Sequence, residues 1–181
     1  MENKKYNELI THIPICTHKE PKDILIISDD ASKILEEIKK YNNINTKVIN
    51  ASIDELRDVL DNSFDVAICE LKADSIVIAH INRVTKDDAL AVFSDIDIAK
   101  QNETKEIFTN ISKYFKIAMP FNPLSPHYAI LASKEYHPTA DIILQRADLT
   151  DGYEVYNSDL HVALFAMPTY IKKIYLGYIK N

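Results

Sequence analysis

Glycine is the residue that this sequence most clearly lacks. Only Gly152 and Gly177 occur among the 181 residues, so none lies in the first 151. Loops that bind phosphate or nucleotide groups use glycine where the backbone takes a positive φ or closely approaches the ligand. The sequence therefore excludes a glycine-rich loop of that kind before residue 152.

Cysteine, paired histidine and long apolar runs are also scarce. Cys16 and Cys69 stand far apart, so we expect no disulfide framework and interpret both as small buried residues. The histidines show no spacing typical of a metal site, and we predict none. No apolar run is long enough for a signal peptide or membrane span, which predicts a cytoplasmic protein with no membrane partner.

The composition otherwise fits a globular domain. With 46% hydrophobic residues, the chain can bury one core, and we expect a single domain over residues 1–181. The formal net charge is −6, with acidic residues spread along the chain. This charge argues against non-specific binding of nucleic acid and favours cationic partners.

Strand and helix patterns alternate from residue 23 to residue 115. A short helix at 6–12 precedes them, followed by a loop marked by Pro14 and Pro21. The predicted strands are 23–27, 46–50, 64–69, 89–94, 117–121 and 128–133, and the predicted helices between them are 32–41, 52–60, 75–84 and 103–115. This alternation predicts an α/β fold: a Rossmann-like three-layer sandwich, mostly parallel, with a C-terminal antiparallel pair.

Two segments resemble the spermidine synthase (polyamine aminopropyltransferase) family. Residues 6–18 and 21–27 read YNELITHIPICTH and PKDILII, and residues 156–168 read YNSDLHVALFAMP. Both are similar to family motifs and occur in the family's order. The resemblance implies a methyltransferase-type Rossmann domain and transfer of an aminopropyl group from decarboxylated S-adenosylmethionine to putrescine, with spermidine as product.

The resemblance also implies site residues. Tyr6, Glu8 and Tyr156 match substrate-binding positions. Asp29 and Asp30 lie where the family has a glycine-rich cofactor-binding loop, although both could simply be helix N-caps. Tyr156 and His161 could equally be packing residues of the last motif.

Glu70 and Asp74 are the candidate catalytic residues. Amines such as putrescine titrate near pKa ~10, so a carboxylate must accept a proton before the amine can attack. Glu70 replaces the first aspartate of the family's Asp-Ser-Ser-Asp-Pro loop. The second falls on Ala73, unless a shift of one residue brings Asp74 there.

The departures from the family weaken the cofactor site and the polyamine site. We expect the side chains of Asp29, Asp30 or a neighbour to fill the volume after Ile27, and we predict no bound cofactor. No carboxylate follows the strand ending near Asn50, where the family grips the ribose, and one strand–helix unit is missing between Ile44 and Leu56. Lys72 would repel a polyamine, and the chain begins at the helix that follows the family's N-terminal β-domain.

Three functions therefore stay open. The first is a divergent aminopropyltransferase. The second is an inactive pseudoenzyme that keeps an assembly surface, for example that of a homo-oligomer. The third is a module that binds polyamines such as putrescine or spermidine through the acidic crevice.

Overall fold

The computed structural model describes residues 2–181, with side chains from Lys4 onward. The strands are β1 (Asp23–Ile27), β2 (Asn45–Ile49), β3 (Phe64–Cys69), β4 (Thr85–Ile96), β5 (Ile117–Phe121) and β6 (Tyr128–Ser133). The helices are α1 (Glu2–Thr17), α2 (Ser32–Ile38), α3 (Ile53–Arg57), α4 (Ser75–Val84), α5 (Gln101–Ile111), α6 (Leu144–Leu149), α7 (Ser158–Leu164) and α8 (Thr169–Ile174).

One six-stranded sheet has the order β2-β1-β3-β4-β6-β5. The strands β1 to β4 are parallel, and β6 runs antiparallel to both β4 and β5. The predicted three-layer α/β sandwich with a C-terminal antiparallel pair is confirmed. The strand order reverses between β1 and β3, and open α/β sheets bind ligands in the crevice beyond the carboxyl ends of the strands at such a point.

The sheet separates two hydrophobic cores because alternate residues of a strand point to opposite faces. In β1, Leu25 and Ile27 pack in the core that holds α4, α5 and α8. The neighbouring residues Ile24 and Ile26 pack in the core that holds α1, α2 and α7. All four side chains are fully buried, as expected for a central parallel strand.

Helix α1 continues through Pro14, so the predicted loop at this position is wrong. A proline inside a helix removes one backbone hydrogen bond and normally breaks or kinks the helix. Here Ile13, Ile15 and Cys16 are fully buried on both sides of Pro14. The packing of this apolar segment against the sheet outweighs the local cost of the proline.

Strand β2 forms one edge of the sheet, and its first four residues are exposed. None of the helices within residues 2–181 has the length and apolar character needed to cross a membrane.

Candidate functional site

Two open crevices lie beyond the carboxyl ends of the parallel strands and share Glu70. The crevice that we call the β1 crevice has a volume of about 420 Å³; it is lined by Tyr6, Asn7, Ser28, Asp29, Asp30, Ala51 and Glu70. The β4 crevice has a volume of about 370 Å³ and is lined by residues 70–73, residues 94–97 and the first turns of α5. Both volumes fall within the range usual for small-molecule sites.

Glu70 is placed by the end of β3. Its backbone N–H donates to the carbonyl of Ile27 at 2.9 Å, which brings the loops after β1 and β3 side by side. Burial raises the pKa of the half-buried Glu70 carboxyl, and the negative charges of Asp29 and Asp30 raise it further, while a hydrogen bond with Ser28 opposes them. The structure therefore places the predicted Glu70 between the two crevices with a proton affinity above that of an ordinary glutamate.

Asp29 and Asp30 line the β1 crevice but do not fill it. The Oδ1 atom of Asp29 accepts from the backbone N–H of Ala51 at 3.0 Å, which draws this side chain toward the end of β2. Asp30 accepts from the N–H of Ser32 at 3.1 Å, a local turn beside α2. The expectation that these side chains close the volume after Ile27 is wrong, because both carboxylates are held at the walls of an open crevice.

Charge is strongly one-sided in the β1 crevice. Its lining includes the carboxylates of Asp29, Asp30 and Glu70 and contains neither lysine nor arginine. A concave surface with charges of one sign concentrates ligands of the opposite sign. The β1 crevice is therefore suited to a cationic ligand.

Tyr6 reaches the same place from α1. It lines the β1 crevice together with Asn7 of the same helix. Burial raises the pKa of Tyr6 to about 12, with the charges of Glu70 and Asp95 adding to the effect and the hydrogen bond with Ser94 opposing it. Tyr6 thus offers a neutral hydroxyl group to the β1 crevice.

Asp74 occupies a different position from Glu70. It is exposed, and its Oδ1 accepts from the N–H groups of Ile76 and Val77 at 2.8 Å, so it is the N-cap of α4. The crevice lining contains Ala73 instead. The structure does not bring Asp74 to the crevice beside Glu70.

Lys72 lines the β4 crevice, but its charge is paired. Its ammonium group lies 2.8 Å from the Glu103 carboxylate on α5; the Lys72 side chain is largely exposed, and that of Glu103 is partly buried. The pairing raises the pKa of Lys72 and offsets part of the repulsion that the sequence suggested.

Asp95 was not singled out from the sequence, although it lies at the mouth of the β4 crevice. The pairing of β4 with β6 is irregular between Phe93 and Ile96, and Asp95 within it has a positive φ of 58°. The Nδ1 atom of His127, from the loop before β6, lies 2.5 Å from its Oδ1. Its place just after the buried run of β4 is the signal that could have identified it.

Glu8 and Tyr156 lie in the interior rather than in the crevices. One carboxylate oxygen of Glu8, Oε1, accepts from the backbone N–H groups of Glu154, Val155 and Tyr156 at 2.8–2.9 Å. The Tyr156 hydroxyl lies 2.7 Å from Nδ1 of His161, and both side chains are buried. Glu8 thus joins the two sequence motifs through direct contact, a structural arrangement that we call the motif junction.

Burial also affects His161. The apolar surroundings lower the pKa of this histidine to about 4, so its imidazole is neutral at physiological pH. This agrees with the interpretation of His161 and Tyr156 as packing residues of the last motif.

Comparison with known proteins gives consistent relatives. The family model described as "Spermine/spermidine synthase domain" matches residues 3–180. A polyamine aminopropyltransferase from Helicobacter acinonychis is 24% identical over 204 residues, covering 97% of this chain and 78% of that protein. Since this alignment is longer than the 181-residue chain, that relative has internal residues with no counterpart here.

Solved structures show the same fold. The spermidine synthase of Thermotoga maritima superposes with a TM-score of 0.83 at 22% identity, covering 97% of this chain and 75% of that chain. The phosphoethanolamine N-methyltransferase 2 of Haemonchus contortus superposes with a TM-score of 0.56 at 13% identity, over 84% of this chain and 42% of that chain. The methyltransferase-type Rossmann fold implied by the sequence resemblance is confirmed.

Proposed function

The chain belongs to the spermine/spermidine synthase family, and on that premise we propose that it transfers an aminopropyl group from decarboxylated S-adenosylmethionine to putrescine. The observation that carries the proposal is the shared position of Glu70, which lines both open crevices. A transfer between two substrates needs two adjoining sites with a proton acceptor where they meet, and this arrangement fits that need.

The β1 crevice is the proposed site of the aminopropyl donor. Decarboxylated S-adenosylmethionine carries a sulfonium and an ammonium group, and the carboxylates of Asp29, Asp30 and Glu70 complement both charges. Tyr6 would contribute a hydroxyl group beside them. Glu8 and Tyr156 would support the site indirectly, because the motif junction holds the helix that carries Tyr6.

The reaction needs one proton acceptor. The neutral amine of putrescine attacks the carbon next to the sulfonium sulfur and forms a new C–N bond. The C–S bond breaks with its electron pair moving to sulfur, which leaves neutral methylthioadenosine. The proton lost by the amine passes to the Glu70 carboxylate, whose raised pKa makes it a stronger base than an ordinary glutamate.

A specific observation favours a second candidate, a module that binds polyamines without catalysis. Ala73 lines the crevice where the family loop has its second aspartate, and Asp74 is engaged as the N-cap of α4. A site with one carboxylate in place of two can hold a polyamine and still position it poorly for attack.

A pair of assays separates these functions. The first measures release of methylthioadenosine from decarboxylated S-adenosylmethionine with putrescine, for the native protein, for Glu70→Gln and for the exposed control Glu36→Gln. The second follows thermal unfolding with methylthioadenosine, decarboxylated S-adenosylmethionine, putrescine or spermidine added singly.

We expect product release from the native protein and from Glu36→Gln, with Glu70→Gln slower by about 100-fold or more, the usual contribution of a general base. Thermal stabilisation by polyamines alone, without release of methylthioadenosine, would contradict the enzymatic function and support the polyamine-binding module. No release of methylthioadenosine and no thermal stabilisation by any of the four compounds would indicate an inactive member of the family.

A further inference from the structure

Three buried side chains outside the crevices converge between α1 and α2. Glu8 and His12 lie one helical turn apart on the same face of α1, and Glu37 comes from α2. Each offers a ligand atom within 4.8 Å of the others, and their exposed fractions are 0%, 0% and 5%. The sequence spacing of the histidines gave no sign of this cluster because Glu37 joins it only through the fold.

The Oε2 atom of Glu8 is a polar atom without a partner. Oε1 receives three backbone N–H groups, whereas Oε2 is buried with no hydrogen-bond partner among the residues that the structure describes. A buried carboxylate oxygen in that state is rare in native proteins and indicates a missing water or ion. The charged groups around Glu8 show which of these fits better.

Negative charge is in excess at this position. Glu8 and Glu37 are both carboxylates, and the ammonium group of Lys40 pairs with Glu37 alone. A buried, uncompensated carboxylate is costly, and a bound cation would offset that cost.

The surrounding contacts match those of a metal site. His12 directs Nε2 at Glu37 (2.7 Å to Oε2) and Nδ1 at the Tyr41 hydroxyl (2.6 Å). Histidines that bind a metal through one ring nitrogen usually donate the other N–H to an oxygen, and carboxylate ligands are themselves held by hydrogen bonds. Here the Tyr41 hydroxyl is the oxygen beside the second ring nitrogen of His12, and the three backbone N–H groups hold the carboxylate of Glu8.

We propose that Glu8, His12 and Glu37 bind one divalent transition-metal ion of the zinc class. One imidazole and two carboxylates suit zinc, with water in the fourth position, whereas calcium and magnesium take oxygen ligands only and need more of them. The ion replaces the hydrogen bond between His12 and Glu37 and binds Oε2 of Glu8. It thereby links α1 to α2 and to the motif junction, a role separate from the proposed transfer reaction.

A second cluster, His18 with Asp65 and Asp88, provides the matched control. The Nε2 atom of His18 also lacks a hydrogen bond. However, Asp65 already accepts from two backbone N–H groups and pairs with Lys86, and Asp88 is half-exposed. Its charges are therefore satisfied without an ion.

The test uses the full chain, stripped with a chelator and titrated with Zn²⁺ and with Co²⁺, whose visible absorption reports low-coordinate binding. Glu8→Gln keeps an oxygen to accept the three N–H groups while replacing the second oxygen, so it should fold. We expect one equivalent to bind the native protein, a loss of affinity of about 10- to 100-fold or more in Glu8→Gln and His12→Asn, and no change in His18→Asn.

Two results would overturn the proposal. One is the absence of stoichiometric binding together with an unchanged melting temperature, which would assign the space beside Glu8 to water. The other is binding that His18→Asn abolishes and Glu8→Gln leaves intact, which would move the ion to the second cluster.

Discussion

The motif junction and the two crevices are built in opposite ways. At the junction, Glu8 lies in the interior, and one of its oxygens receives three N–H groups from the segment 154–156. In the crevices, Glu70 is half-exposed, and the exposed carboxylates of Asp29 and Asp30 face solvent. The segments most similar to the family therefore lie mainly in the interior, with Tyr6 reaching the β1 crevice, while the segments that depart from the family form most of the crevice walls.

This contrast explains why the sequence identifies the family of the chain more directly than its activity. The similarity to the family resides in buried contacts that keep the two ends of the chain together, and such contacts persist whether or not a reaction occurs. The proposed chemistry would depend on Glu70 and its neighbours, in the segments that depart from the family. The following predictions test how far the two regions are independent.

The largest loss of stability is expected at the motif junction. Glu8→Ala removes the acceptor of three buried N–H groups and should lower the free energy of unfolding by about 3–5 kcal/mol. Urea unfolding measures it, and the exposed Glu36→Ala should change stability by less than about 0.5 kcal/mol. Equal stability of Glu8→Ala and the native protein would show that the three hydrogen bonds of the motif junction contribute nothing to the free energy of unfolding.

A smaller loss of stability is expected at the contact between Tyr156 and His161. Tyr156→Phe removes the hydroxyl group that bonds to Nδ1 of His161 at 2.7 Å and leaves that nitrogen unpaired in the interior. The expected cost is about 1–2 kcal/mol in urea unfolding. Tyr170→Phe, at an exposed site on α8, is the control and should be neutral.

In the crevices, by contrast, a substitution of Glu70 should raise the stability of the protein. Burial raises the pKa of Glu70, so the folded protein binds this proton more tightly and loses stability as pH rises from the ordinary glutamate pKa to the raised value. Glu70→Gln lacks that loss and should be more stable at pH 7, by less than about 1 kcal/mol because solvent screens a half-exposed charge. Urea unfolding at pH 7 and pH 4 should show the gain only at pH 7, and a gain at both would assign it to packing.

The smallest effect concerns the ion pair beside the β4 crevice. Lys72→Ala removes an exposed pair with Glu103 and should change stability by less than about 0.5 kcal/mol. The freed Glu103 carboxylate should strengthen putrescine binding by a few fold, as measured by calorimetry at low salt. Lys116→Ala, which removes an exposed pair with Glu135 that lines neither crevice, should leave binding unchanged.

Sequence patterns predicted the sheet better than the site. Continuous apolar runs identified β1, β3 and the buried part of β4, because a strand covered on both faces needs such residues. Pro14 led to a wrong boundary, since the tertiary packing that keeps α1 intact is not visible locally. Glu8 and Glu70 were both found by resemblance, but their opposite burial follows from contacts between distant segments.

The wide sequence separation at the motif junction has a consequence for how the chain reaches its native state. Glu8 meets the amide of Glu154 across 146 residues, so this contact cannot form until nearly the whole polypeptide has been synthesised. Contacts between such distant segments carry the full entropy of closing a long loop and are made late. On the ribosome, the first helix must therefore wait with its carboxylate unsatisfied, and a chain released before residue 154 has no means of completing its interior.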